Sequence, residues 1–189
     1  MIGAWLSVIA ETVLYTLGLV FAWDWVYWFG ALALFQVLTA DICLRADLTP
    51  FSPGANDNAS GIGLVLELAR RLAKKPLART EVWLAFTGCE ETGAGGMRAF
   101  LDAHQAELGD DAVHVVLDMV GQGNLAYVHS EGLLLKHKTH PRALDLARQA
   151  RVSLPDVGVQ AVSSPAFADG LPVTKRGKIA LTVTARPPK

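Results

Sequence analysis

The sequence predicts an α/β fold in which helices and a β-sheet pack in three layers, preceded by an apolar helical hairpin. Short apolar runs typical of buried strands alternate with amphipathic helical stretches from about residue 60 onward. Several of these runs end at small residues and carboxylates, as is common at the ligand-binding edge of an α/β sheet. The first 44 residues, in contrast, carry only three charged side chains, those of Glu11, Asp24 and Asp41.

Residues 1–46 are predicted to form the hairpin. Segments 2–23 and 25–44 each contain about 20 residues, enough for a helix to cross a bilayer. Asp24 would lie in the turn, among aromatic side chains that favour the membrane interface: Trp23, Trp25, Tyr27 and Trp28. We therefore expect a transmembrane hairpin that holds the protein at a membrane. The alternative is a pair of buried or interfacial helices, because Glu11 interrupts the first run and an acid inside a bilayer is costly.

Residues 47–189 are predicted to form one α/β domain, in which helical and strand periodicities alternate. In chain order the expected elements are a helix at 62–74, a strand at 81–87, a helix at 95–108, strands at 113–119 and 125–129, a helix that starts at Pro141, and a strand at 179–184. The formal net charge of −1 and the lack of a basic stripe make nucleic acid an unexpected partner.

Four carboxylates stand at the ends of predicted elements. Asp57 lies in a turn rich in Gly and Asn before the first helix of this domain. Glu90 and Glu91 follow the apolar run 81–87, and Asp118 ends the next predicted strand. Each acid alone has an ordinary explanation, as a helix cap, a solvated pair or a strand end. Together they predict a metal site, because gathering several carboxylates is costly unless a cation compensates them.

Three segments carry a resemblance to a known family. They read G-A-N-D-N-A-S-G, F-T-G-C-E-E-T-G-A-G-G-M-R-A-F and V-V-L-D-M-V-G, in this order, within residues 53–121. This series resembles the co-catalytic di-zinc aminopeptidases, metallopeptidase family twenty-eight. The resemblance implies a zinc exopeptidase-like three-layer α/β/α sandwich with a mixed sheet, of which residues 47–189 would be a part. It also implies a peptide substrate and two Zn²⁺ ions as cofactors.

The resemblance assigns a role to each acid. Asp57 would bridge the two zinc ions, Glu91 would ligate one of them, and Asp118 would ligate the other. Glu90 would be the general base. These roles agree with the chemistry, because paired zinc ions polarise a scissile carbonyl while a free carboxylate moves the proton of the attacking water. Cys89 is interpreted as a small buried packing residue.

Two ligands of that family have no counterpart in the sequence. The family carries a metal-binding His upstream of its D-N-A-S-G motif and another near its C-terminus, but here no His precedes His104 and none follows His140. We assign none of the five histidines to metal, and interpret His104 as a packing residue and His140 as part of a helix start. The catalytic domain is therefore expected to be incomplete at both ends, and the 189-residue chain to bind zinc weakly and hydrolyse peptides poorly.

The function expected from the sequence is that of a zinc-dependent exopeptidase of the aminopeptidase kind, with Glu90 as general base. Two alternatives stay open. One is acyl transfer of the glutaminyl cyclase kind, in which a related scaffold uses one zinc ion. The other is a non-catalytic receptor or binding domain of the same fold: the missing histidines favour it and the intact Glu90-Glu91 pair argues against it.

Overall fold

The computed structural model describes residues 2–23, 26–132 and 135–187. The chain divides into two compact units, Met1–Ser52 and Pro53–Lys189. In the first unit, helix α1 (Ile2–Val20) packs against helix α2 (Val26–Leu48), so both predicted N-terminal helices form. The predicted polar turn at Asp24 lies outside the described residues.

The prediction that this hairpin crosses a membrane is not supported. Within ranges 2–23, 26–132 and 135–187, no helix is both long and apolar enough to span a bilayer. Charged side chains interrupt both helices. Glu11 lies in the middle of α1, and Arg45 forms an ion pair of 2.7 Å with Asp41 in α2.

The second unit begins with a distorted helical turn, Ala55–Ala59, and then alternates helices and strands. Its helices are α3 (Ser60–Lys74), α4 (Gly95–Ala103), α5 (Pro141–Ser153) and α6 (Gly170–Lys175). Its strands are β1 (Val113–Leu117), β2 (Asn124–Glu131), β3 (His137–Lys138), β4 (Gln160–Ser164) and β5 (Ile179–Arg186). The predicted helix start at Pro141 is confirmed, because His140 caps α5 and Pro141 occupies its first turn.

The strands form one mixed sheet, as the family resemblance implied. Its order is β1-β5-β2-β3, and β4 also pairs with β2. β1 runs parallel to β5, with Leu117 opposite Val183. β2 is antiparallel to β5 and β3 but parallel to β4. Because β1 and β5 run in the same direction, their C-terminal ends meet at one edge of the sheet, where Asp118 follows Leu117.

Helices cover both faces of β5. Ala180 packs in one apolar cluster with residues of α4 and α6, namely Met97, Leu101 and Val173. Ile179 and Leu181, which point to the opposite face, pack with Ala143 and Ala147 of α5. This alternation along β5 produces a core on each side of the sheet. The layered α/β arrangement therefore follows from the side-chain period of one central strand.

The predicted strand at 81–87 does not form. Residues 80–89 take part in no ladder with any strand that the structure describes, and most of their apolar side chains are exposed. Trp83 instead packs by its ring against Phe100 and His104, at centroid distances of 6.3 and 5.2 Å. An apolar run indicates a tendency toward burial, whereas a strand also needs a backbone partner.

Smaller differences concern lengths and polar elements. The helix predicted at 95–108 ends at Ala103 and continues as turns. The strands predicted at 113–119, 125–129 and 179–184 are confirmed, with ends shifted by one to two residues. β3, β4 and α6 were not predicted. β4 is rich in polar residues, and α6 is only six residues long, so neither has a marked period.

Candidate functional site

Asp57 lies in the Ala55–Ala59 turn, which side-chain hydrogen bonds tie to the end of β1. The amide nitrogen of Asn58 donates to the carbonyl of Leu117 at 2.9 Å. Its amide oxygen accepts from the N–H groups of Gly61 and Met119, at 3.1 and 3.3 Å. The Asp57–Asn58 peptide bond is cis. The asparagine that follows Asp57 therefore holds the turn against the strand that leads to Asp118.

Two glycines allow this close approach. A Cβ on Gly61 would collide with the Asn58 side chain and with the carbonyl of Leu117. A Cβ on Gly121 would lie 2.8 Å from the Cβ of Ser60. The N–H of Gly121 donates to the side-chain oxygen of Asn56 at 3.0 Å. The repeated Asn and Gly of the first motif thus serve to dock the turn, a role that the sequence analysis did not assign.

The segment that carries Glu90 and Glu91 bends sharply before α4. The N–H groups of Gly95 and Gly96 donate to the carbonyls of Cys89 and Gly88, both at 2.9 Å. Gly96 has no room for a Cβ against the Gly88 backbone, so a glycine is needed where the chain approaches itself here. Cys89 has a positive φ of 57°, an uncommon backbone conformation for a residue with a side chain.

Asp118 is placed by the sheet itself. Its N–H donates to the carbonyl of Val183 at 3.0 Å, which extends the β1–β5 pairing by one residue. Met119 then turns the chain away with a φ of 53°. Cys89 and Met119 thus both have a left-handed backbone conformation, and each is directly next to a predicted site acid in the chain. Such backbone conformations cluster at functional sites.

The predicted acids lie close enough to repel one another. The pKa of Glu90 is raised to about 7, first by burial and then by four neighbouring carboxylates: Glu91, Asp118, Asp169 and Asp57. Burial also raises the pKa of Asp118, and the charges of Asp57, Asp169 and Glu91 raise it further, whereas Arg186 opposes the shift. The four predicted acids are thus close enough for the charges of the other three to affect Glu90. Their individual roles stay predictions.

Asp169 is a fifth carboxylate, which the sequence analysis did not single out. It precedes α6 and is only 8% exposed. One of its oxygens, Oδ2, accepts a hydrogen bond from the hydroxyl of Thr87. The buried Glu131 accepts from the N–H of Ala168, the residue before Asp169, at 3.2 Å. In the sequence, Asp169-Gly170 reads as an ordinary turn, so only the tertiary contact with Thr87 identifies it.

These carboxylates fit a divalent cation in charge and in donor type. Burial raises the pKa of Glu90 and that of Asp118, and repulsion from neighbouring carboxylates raises both further; a bound cation would relieve that repulsion. The arrangement is not a finished coordination shell, because no three His, Cys, Asp or Glu side chains within the described ranges are grouped closely enough to hold one ion. Oxygen donors alone also leave zinc without the imidazole ligands that it commonly takes.

The remaining sequence predictions near the site have mixed outcomes. His104 packs against Phe100 at 4.9 Å and pairs with Glu107 at 3.1 Å, which confirms its packing role. His114 contacts the carbonyl of Ile179 at 3.1 Å. The interpretation of Cys89 as a buried packing residue is wrong, because this thiol is exposed. It lies in the segment 80–89, which pairs with no described strand, so none of the described strands covers the thiol.

Comparison with known proteins agrees with this combination of a mixed sheet and gathered carboxylates. Residues 45–186 match the family described as "Peptidase family M28". The match covers most of the chain and includes the turn of Asp57, the Glu90-Glu91 pair and Asp118. The chain belongs to this peptidase family.

Two curated relatives carry aminopeptidase names. The chain is 45% identical over 76 residues to "Aminopeptidase YwaD" of Bacillus subtilis (strain 168), over 40% of this chain. It is 36% identical over 87 residues to "Probable lipoprotein aminopeptidase LpqL" of Mycobacterium tuberculosis (strain ATCC 25618 / H37Rv), over 46% of this chain. The matches span only 16% and 17% of those relatives. No solved structure shows significant similarity to the chain.

Proposed function

We propose that the chain supplies the catalytic carboxylates of a zinc-dependent aminopeptidase. The observation that carries the proposal is that the charges of Asp57, Glu91 and Asp118 all act on the carboxyl of Glu90. Burial, and after it the repulsion from these acids and Asp169, raises the pKa of Glu90 to about 7. Family membership and the names of two relatives support peptide hydrolysis.

Each acid has a role in this proposal. Asp57 would be shared between two zinc ions, with Glu91 a ligand of one and Asp118 a ligand of the other. Bound zinc would polarise the scissile carbonyl and make water a better nucleophile near neutral pH. Glu90 would accept a proton from the attacking water and return it to the leaving amine.

The two alternatives make different use of the same carboxylates. A cyclase-like acyl transferase would bind one zinc ion and would close an N-terminal glutaminyl residue rather than cleave a peptide bond. A receptor domain would bind a cation or a partner without hydrolysis. The carboxylate-only donor set favours neither of these over weak peptidase activity, so direct measurement has to separate them.

The proposal is tested with a panel of aminoacyl p-nitroanilides and their N-acetylated counterparts, with added zinc and then with a chelator. We expect slow hydrolysis that requires a free amino group and is lost with chelation. Turnover of the 189-residue polypeptide should be low, because its described donors are carboxylates only. Ring closure of a glutaminyl peptide would support the cyclase instead. Zinc binding with no hydrolysis of any substrate would support the receptor and would refute the proposal.

A further inference from the structure

Asp169 is a buried carboxylate whose hydrogen bonding is incomplete. Its side chain is 8% exposed, and its Oδ1 is fully buried without a hydrogen-bond partner among the described residues. The charge also adds to the repulsion on Glu90 and Asp118. A buried carboxylate with an unpartnered oxygen destabilises a fold unless something compensates it.

Helix capping does not account for this residue. Asp169 stands at the N-cap position of α6, yet its side chain makes no capping hydrogen bond. The chain around it is closely fixed, because α6 is buried and a Cβ on Gly170 would collide with the hydroxyl of Thr182 in β5. Asp169 is therefore held by a tightly packed element that does not itself need the carboxylate.

The one described hydrogen bond of the Asp169 side chain leads toward the Glu90-Glu91 pair. Thr87 donates its hydroxyl to Asp169 across a separation of 82 residues in the chain. Residues 80–89 belong to no ladder of the described sheet, so sheet hydrogen bonds do not hold this segment. A side-chain link at Thr87 thus fixes the segment three residues before Glu90.

We propose that Asp169 is a positioning residue, which holds the Glu90-Glu91 segment through Thr87 and adds negative charge beside the cation-binding carboxylates. The hydrolytic part of this inference rests on the proposed peptidase function, whereas the cation-binding part does not. Carboxylates that orient the groups around a metal site commonly change metal affinity or activity by about 10–100-fold when replaced.

The test compares Asp169→Asn with the exposed control Asp156→Asn in the full chain. Three quantities are measured: the melting temperature in chelator, the affinity for Zn²⁺, and kcat and KM for an aminoacyl p-nitroanilide. Asp169→Asn should leave the metal-free melting temperature unchanged or raise it, because one repelling charge is removed. It should nevertheless weaken Zn²⁺ binding and lower kcat, each by about 10-fold or more, with KM little changed. Asp156→Asn should behave like the unmodified chain.

A second pair of variants tests the link itself. Thr87→Val removes the hydroxyl at nearly constant shape and should reproduce the loss of kcat and Zn²⁺ affinity. Thr87→Ser keeps the donor, so kcat and Zn²⁺ affinity should stay close to those of the unmodified chain. A lower metal-free melting temperature for Asp169→Asn, with Zn²⁺ affinity unchanged, would overturn the proposal and mark Asp169 as purely structural. If the unmodified chain shows no hydrolysis, the peptidase function fails. The inference about Asp169 is then decided by Zn²⁺ affinity alone, which should be weaker in Asp169→Asn than in the unmodified chain.

Discussion

Asn58 offers a direct test of how the Asp57 turn is held in place. Replacement of Asn58 by Ala removes three hydrogen bonds, of 2.9, 3.1 and 3.3 Å, to Leu117, Gly61 and Met119. A protein hydrogen bond contributes about 0.5–1.5 kcal/mol net, and these three are only partly buried. With the longest bond discounted, we expect a loss of about 2 kcal/mol, or about 30-fold in the opening equilibrium.

Native-state hydrogen exchange of the Asp118 amide measures this loss, because that amide pairs with Val183 where the turn docks. The matched control is Asn124→Ala, at an exposed position of β2 whose side chain has no hydrogen bond among the described residues. Protection of the Asp118 amide should fall by about 30-fold in Asn58→Ala and should stay near normal in the control. Equal protection in the two variants would refute the docking role of Asn58.

Two further predictions concern charge and backbone space. Without metal, the second unit should become less stable as the pH rises from about 5 to about 8. The pKa of Glu90 (about 7) and that of Asp118 are raised in the folded state, so the folded chain holds these protons more tightly and loses stability when they leave. Melting temperatures in chelator check this, and a rise with pH would contradict it. Gly63→Ala should stabilise α3 by about 0.5–1 kcal/mol because nothing lies near its Cβ position, whereas Gly61→Ala should destabilise. Urea denaturation compares the two variants, and equal effects would contradict the tight packing at Gly61.

The sequence predicted the secondary structure correctly where the local pattern of apolar and turn residues matches the packing of the element in the fold. The helical stripe from Ile62, the strands β1 and β5, and the start of α5 at Pro141 all follow from period, length and turn chemistry. The placement of Asp118 was predictable as well, because it directly follows strand β1, at the C-terminal end where ligands commonly bind in α/β sheets.

Other features depend on partners that are distant in the chain. The run 81–87 has the composition of a buried strand, but no described strand supplies the backbone groups to pair with it. Asn58 reads as turn chemistry, although its amide bonds the end of β1 about 60 residues away. Asp169 reads as the start of a turn until its contact with Thr87 is seen. The spacing of apolar residues along a sequence does not reveal the contacts that single polar side chains make with distant parts of the chain.

The central claim, that this chain carries a metal-dependent hydrolytic site with Glu90 as general base, is tested most directly by Glu90→Gln. Hydrolysis of an aminoacyl p-nitroanilide and bound zinc are measured on the same samples, with the exposed Glu107→Gln as control. Loss of a general base lowers turnover by about 10²–10⁴-fold. We expect that loss in Glu90→Gln, with zinc content near that of the unmodified chain and of the control. Unchanged turnover, or loss of zinc together with activity, would contradict the assignment of Glu90 as the base.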